Sequence, residues 1–383
     1  DQIDLLKGIE TVKSTGTEEG LRRRLQRAFA QFSQRTSASS RVIARYGAGV
    51  QLLSLLTYGL FIFLGALLAR SGHLSLGAYV AFTALVLLIT RPLVALLDAW
   101  DDVQISAVLL NRIADVLEHE PEQGRETSEL TRVPTLEGRV QLRNVSYCPP
   151  GTDEPILAEI NLDVSPGTTV AVVGRTGSGK STLLRLLAGL IEPTSGTILY
   201  DRVDTKTLRY QDLRRQVGFV LQSPYIFAAS IAANIALGED EIDFERVRSA
   251  ADIADLVELI ERLPLGYDTP VGSRGLPLSG GQAQRLTIAR ALYRRPPVLL
   301  FDEATSALDT ESEAIVKRNI DRLLEGRTAF VVAHRLSTIR NADVIVVLER
   351  GRLVEIGTHD ELLARRGVYF YLYSQQLSST DDG

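Results

Sequence analysis

Hydrophobic and polar positions divide the chain into two stretches of different character. From Tyr46 to Ala69 there are 24 residues without a charge, bounded by Arg45 and Arg70. At about 1.5 Å of rise per residue, a helix of that length exceeds the roughly 30 Å hydrocarbon thickness of a bilayer. A second uncharged run, Leu74 to Thr90, continues past Arg91 and Pro92 to Leu97, which predicts a second span if Arg91 reaches the interface. The short turn between them predicts an antiparallel hairpin, with Pro92 a candidate kink. The alternative is a pair of helices buried in a soluble core; runs this long and uncharged argue against it.

Before the first run, Ile3, Leu6, Ile9 and Val12 recur near helical spacing, a break falls at Ser14 to Gly20, and a helix is predicted from Leu21 to Arg45. Joined to the first span it would be about 70 Å long. After the second span the helical pattern continues to Leu117, and a Glu-, Pro- and Thr-rich segment without periodicity follows. From Val140 onward, β-type runs such as Thr169 to Val173, Val298 to Phe301, Ala329 to Ala333 and Val344 to Leu348 alternate with helical ones. That alternation predicts an α/β unit with a buried parallel sheet. The expected domains are 1–45 (cytoplasmic helical extensions), 46–112 (two spans, about 46–69 and 74–97), 113–137 (linker), 138–377 (nucleotide-binding unit) and 378–383 (tail).

Composition adds little that is decisive. A net charge of −5 over 383 residues does not point to nucleic acid, and the single cysteine, Cys148, cannot form an internal disulfide. No methionine occurs, not even at position 1, so the sequence reads as a fragment or an edited sequence, and its N-terminus lacks the pattern of a signal peptide. Arginines 22, 23, 24, 27, 35, 41 and 45 precede the first span, whereas the turn carries only Arg70. By the positive-inside rule both ends of the hairpin lie in the cytoplasm.

The chemistry begins at GRTGSGKST, where Gly174, Arg175, Thr176, Gly177, Ser178, Gly179, Lys180, Ser181 and Thr182 follow a buried strand and open a helix. Glycines let successive backbone N–H groups face phosphate oxygens, the helix start adds its positive dipole end, Lys180 supplies a point charge for the β- and γ-phosphates, and Ser181 a hydroxyl for Mg²⁺. Asp302 ends the apolar strand VLLF, where a carboxylate can hold Mg²⁺ through water. LSGGQ, with Ser279, Gly280, Gly281 and Gln282, opens a further helix whose amides form a second anion site. One nucleotide cannot sit at two separate helix starts of one rigid unit.

This ordered set, together with FVLQSP around Gln222 and SALD ending at Asp309, resembles the ATP-binding cassette (ABC) ATPases, over about 138–377. The spans resemble the membrane helices of their exporters, over about 1–112. The resemblance implies an α-helical membrane segment fused to an α/β P-loop NTPase, with a RecA-like core, an antiparallel β subdomain and a helical signature subdomain. It implies that Glu303 polarises the attacking water, that His334 contacts the γ-phosphate, and that Gln222 links Mg²⁺ and the water to the membrane helices. Ser279 to Gln282 and Asp309 would serve an ATP held by a second subunit, as homodimer or heterodimer.

The same resemblance makes the segment near Lys13 to Glu19 the candidate coupling element. It implies that the first four of six membrane helices, and anything before them, precede this text. GIETVKSTG and VYFYLYSQQL resemble bacterial peptide and protein exporters of the bacteriocin or type I secretion kind, in the inner membrane; lipid or drug export is the alternative. A soluble cassette acting on nucleic acid is the competing class, disfavoured by the spans. Two departures stand out. Pro149 occupies the place of the usual adenine-stacking aromatic, leaving Tyr147 as the nearest candidate, and Ser273 in TPVGSRG stands where exporters usually carry a glutamate.

Overall fold

The computed structural model describes residues 9–118, 122–123, 130–273, 275–302, 324, 326–332 and 339–381. The chain divides into two compact units, Asp1–His119 and Glu120–Gly383.

The first unit contains helices α1 (Ile9–Ser14), α2 (Glu18–Arg70) and α3 (Leu76–Leu117). The break between α1 and α2 falls where the sequence predicts it: Gly16 turns the backbone at φ 62° and its N–H donates to the Lys13 carbonyl. Helix α2 starts at Glu18, ahead of the expected Leu21, because Glu18 and Glu19 favour the positive end of the helix dipole and the single Gly20 costs only about 1 kcal/mol inside a helix. Its 53 residues run without interruption for about 80 Å. Among the described residues it is the one helix long and apolar enough to cross a membrane. Leu53 and Leu55 stand 67% and 68% exposed, so this apolar surface does not form the core of a soluble unit.

Ser75 caps α3 by accepting from the Ala78 N–H at 3.2 Å. The two helices meet as the expected hairpin: Phe61 and Phe82 pack edge to face at 6.0 Å, and a Cβ at Gly65 would come within 2.9 Å of the Tyr79 ring. Helix α3 passes through Pro92 and continues to Leu117. Within it the apolar helix recorded among the described residues is Leu76–Val86, and the Arg91 side chain lies outside them.

In the second unit, six strands form a sheet of order β10-β9-β3-β8-β7-β6: β3 (Thr169–Val173), β6 (Val217–Val220), β7 (Val298–Asp302), β8 (Thr328–Val332), β9 (Val344–Glu349) and β10 (Arg352–Gly357). All pair in parallel except the edge strand β10, which runs antiparallel to β9. Strand β7 is buried throughout, which accounts for its unbroken apolar run. A second, antiparallel sheet has the order β2-β1-β4-β5, from β1 (Val140–Tyr147), β2 (Leu157–Val164), β4 (Ser195–Tyr200) and β5 (Val203–Asp204). Helix α4 (Lys180–Leu187) follows β3 and buries Leu183, Leu184, Leu186 and Leu187 in a core shared by both sheets. Helix α5 (Tyr210–Gln216) leads into β6.

The helices α6 (Ile231–Ile235), α7 (Phe244–Ile253), α8 (Val257–Glu261) and α9 (Gly280–Tyr293) pack around a second core that includes Val247, Leu286, Ile288 and Leu292. A third cluster joins Ile345 and Val347 of β9 to Leu362 of α10 (His359–Arg365) and Tyr369 of α11 (Val368–Asp381).

The segment expected as a linker at 113–137 divides differently. Residues 113–117 belong to α3, whereas the described later part is tied into the second unit. Gln123 donates to the Leu208 carbonyl and accepts from the Tyr210 N–H, both at 2.8 Å, and the Leu136 N–H donates to the Gln216 side chain. Its backbone groups find side-chain amides instead of a regular element, which is why no periodicity marks it.

Candidate nucleotide site

Strand β3 lies at the middle of the six-stranded sheet, flanked in parallel by β8 and β9, and its carboxyl end delivers the chain into the loop 174–179. Three glycines there take positive φ: Gly174 at 157°, Gly177 at 82° and Gly179 at 99°. At Gly174 a Cβ would lie 2.2 Å from the Leu348 carbonyl oxygen, a distance no side chain tolerates, so the loop hugs strand β9 only because no Cβ is present. Gly179 presses as closely on the start of β2, where a Cβ would meet Leu157 Cδ2 at 2.6 Å.

Lys180, the first residue of α4, is 6% exposed, and its ammonium donates to the Gly174 carbonyl at 2.8 Å and the Arg175 carbonyl at 3.1 Å. The cation is therefore held directly over the loop whose amides form the cradle. Arg175, Thr176 and Gly177 are exposed at the rim, and Thr182 is partly buried one turn into the helix. Ser178 is 4% exposed, and its hydroxyl has no hydrogen-bond partner among the described residues. A buried hydroxyl of that kind awaits an acceptor, and a phosphate oxygen would supply one.

Strand β7 brings Asp302, 2% exposed, to the same end of the sheet, where Ser181 Oγ donates to Asp302 Oδ1 at 3.0 Å. Two hard oxygen donors side by side suit Mg²⁺, which keeps several waters and takes its remaining ligands from substrate phosphates. No group of three or more His, Cys, Asp or Glu side chains forms a metal cage among the described residues. Glu303, Asp309 and His334 lie outside the described residues.

Gln222 is exposed just past β6. The loop that follows is clamped by a group that sequence reasoning did not single out. Asn234, wholly buried on α6, donates to the carbonyls of Phe227 and Ser230 at 3.0 Å and accepts from the Phe227 N–H. Arg290 of α9 donates to the Asn234 carbonyl at 2.8 Å, the Asn234 side chain at 2.9 Å and the Tyr225 carbonyl at 3.0 Å. Its guanidinium also lies 5.5 Å above the Phe227 ring. Burial pushes the Arg290 pKa down from its ordinary value, and dipoles in place of a carboxylate hold the charge. These residues are 56 apart in sequence, and nothing in their spacing announces the pairing.

At the other end of α9, Ser279 forms a capping box: its Oγ accepts from the Gln282 N–H at 3.2 Å, and Gln282 Oε1 accepts from the Ser279 N–H at 3.0 Å. Gly280 begins the helix with no side chain, leaving the amides at its start open to solvent on one side. Helix α4 is anchored in the sheet core and α9 in the helical core, so the two glycine-flanked helix starts belong to different packing units. Tyr147, at the end of β1, is partly buried and packed against the sheet core. The loop after it turns on Cys148, whose Sγ lies 2.8 Å from the Thr152 carbonyl.

The family model described as ABC transporter matches residues 157–306, and that described as ABC transporter transmembrane region matches residues 2–93. Among curated proteins, the leukotoxin translocation ATP-binding protein LktB of Mannheimia glucosida is 42% identical over 352 residues, covering 91% of this chain and 49% of that protein. The cyclolysin secretion/processing ATP-binding protein CyaB of Bordetella pertussis is 40% identical over 376 residues, covering 98% of this chain and 52% of that protein. This chain thus spans about half the length of the curated relatives it matches. A solved structure of a bacterial Atm1-family ABC exporter with ATP bound superposes with a TM-score of 0.86 at 34% identity, over 98% of this chain and 65% of that one.

Proposed function

The chain belongs to the ABC transporter family, and from that premise we propose that it is the ATP-hydrolysing subunit of an exporter moving a peptide or protein across the bacterial inner membrane. It is an integral membrane polypeptide with an ATP-binding unit, and in this reading that unit faces the cytoplasm, as the arginine-rich first half of α2 favours. The observation that carries the proposal is the joint placement of Lys180 over the Gly174 and Arg175 carbonyls and of Ser181 against Asp302, at the carboxyl ends of β3 and β7.

Phosphoryl transfer asks a protein chiefly for positioning and charge stabilisation. Lys180 and the loop amides would grip the β- and γ-phosphates of ATP. Mg²⁺ would be held by Ser181 and Asp302, with Gln222 beside it, and would neutralise charge on the phosphate oxygens. Glu303 would orient the attacking water and His334 would contact the γ-phosphate. Ser279 to Gln282 and Asp309 would close over the ATP of a second subunit, and Tyr147 is the candidate to meet the base. ATP binding would draw two such units together and hydrolysis would release them, the segment Lys13 to Glu19 passing the motion to the helices.

The peptide or protein substrate rests on relatives whose names describe translocation or secretion of leukotoxin and cyclolysin. The transmembrane-region match speaks against a soluble cassette acting on nucleic acid. Vesicles holding the complete assembly, offered a peptide, a lipid and a drug, test the reading. ATP-dependent uptake of the peptide alone supports it, and transport of only the lipid or drug overturns the substrate class.

A further inference from the structure

A second cluster of cations lies at the opposite edge of the main sheet. Arg295 precedes β7 and Arg327 precedes β8, at the amino ends of the strands, whereas Lys180 and Asp302 mark the carboxyl ends. The strand β7 alone, five residues long, separates the two edges by roughly 16 Å. Between these loops and α7 is a cavity of about 270 Å³ lined by Arg246, Ser249, Ile253, Tyr293, Arg295 and Arg327.

Neighbouring arginines have carboxylates to pair with. Arg294 meets Glu239 at 2.6 Å, Arg285 meets Asp255 at 2.8 Å, and Arg246 meets Asp243 through Nε at 3.0 Å, which leaves the outer nitrogens of Arg246 for the cavity. Arg295 and Arg327 have no carboxylate within ion-pair distance among the described residues. They line one cavity instead, and burial, first, and the like charge of Arg295, second, push the Arg327 pKa down. Arg295 is fixed in place by a left-handed backbone, φ 51°, and by its N–H bond to the Leu292 carbonyl. The Tyr293 hydroxyl accepts from the Asp243 N–H, which leaves its proton free to donate.

A half-buried guanidinium that shares a small cavity with a second, exposed one is stabilised by an anion carrying more than one charge, and their planar forks match phosphate oxygens. We propose that this cavity binds a small free phosphate-class polyanion, with Arg295, Arg327 and the outer face of Arg246 as its grip, apart from the nucleotide site. Its volume admits pyrophosphate and falls short of the usual range for larger ligands. The occupant would tie α7 and the end of α9 to the amino edge of the sheet.

The test is calorimetric titration of inorganic pyrophosphate, in EDTA and detergent, into the full chain carrying Lys180→Ala, so that the cradle at the other edge is weakened. One site per chain is expected. Affinity should fall by about tenfold or more on adding Arg295→Gln, and likewise on adding Arg327→Gln, as befits loss of a charged hydrogen bond. Arg295 is exposed, so its glutamine variant reads the cavity even where Arg327→Gln fails to fold. Absence of binding to the Lys180→Ala chain, or equal binding with and without Arg295→Gln, would overturn the proposal, and neither result bears on the nucleotide site.

Discussion

At Gly174 one hydrogen atom decides whether the cradle exists. A methyl there would stand 2.2 Å from the Leu348 carbonyl oxygen and 2.6 Å from Ser178 Oγ, so Gly174→Ala must displace either β9 or the loop. We expect at least a hundredfold loss of ATP affinity, measured with a fluorescent nucleotide, while Gly177→Ala meets no neighbour, carries only the backbone strain of its φ of 82°, and costs less. Lys180→Ala should abolish turnover through loss of a phosphate cation, and Glu303→Gln should nearly stop phosphate release while leaving ATP binding intact. Unchanged turnover in the glutamine variant would remove Glu303 from its assigned role. Asn234→Ala removes one of the three acceptors of the Arg290 guanidinium and the donor to three carbonyls, and a loss of about 2–4 kcal/mol in denaturant unfolding of the second unit is expected. The phosphate loop was legible because its chemistry is local, every contributor lying within nine residues. The clamp of Asn234 and Arg290 was not, because it joins side chains from separate helices and depends on where those helices pack.

Among the elements, α9 carries two roles at its N-cap. Ser279 caps the helix, and in the proposed reading its hydroxyl also meets a neighbour's phosphate. Substitution separates the two. Aspartate is as good a helix cap as serine but places a negative charge at the anion site. Ser279→Asp should hold thermal stability within a few tenths of a kcal/mol and still lower ATPase activity by at least tenfold; retained activity would reduce Ser279 to a cap. The pattern of charges and apolar runs located the break before α2, the hairpin turn and the sheet strands. It located the end of α3 at Leu117 but misplaced the start of α2, where capping acids outweigh a glycine, and it left the polar segment beyond α3 without structure, although Gln123 and Gln216 fasten it.

For the whole molecule, the two helix starts at Lys180 and Ser279 are rooted in different cores of one polypeptide, and one chain cannot present both to a single nucleotide in the proposed reading. In that reading a second copy or a close relative completes each site. The reading comes from the motifs, since LSGGQ and GRTGSGKST each open a helix where an anion site is expected; the partner's identity is not encoded in either. The direct measurement is disulfide crosslinking of the Thr176→Cys, Ser279→Cys chain with Cys148 replaced by serine, both new positions being exposed at their helix or loop starts. Adding ATP with Mg²⁺ to the Glu303→Gln form should raise the yield of a species of twice the chain mass, bonded between Thr176→Cys of one chain and Ser279→Cys of the other. A crosslink confined to single chains, or one indifferent to nucleotide, would contradict the shared site on which the account rests.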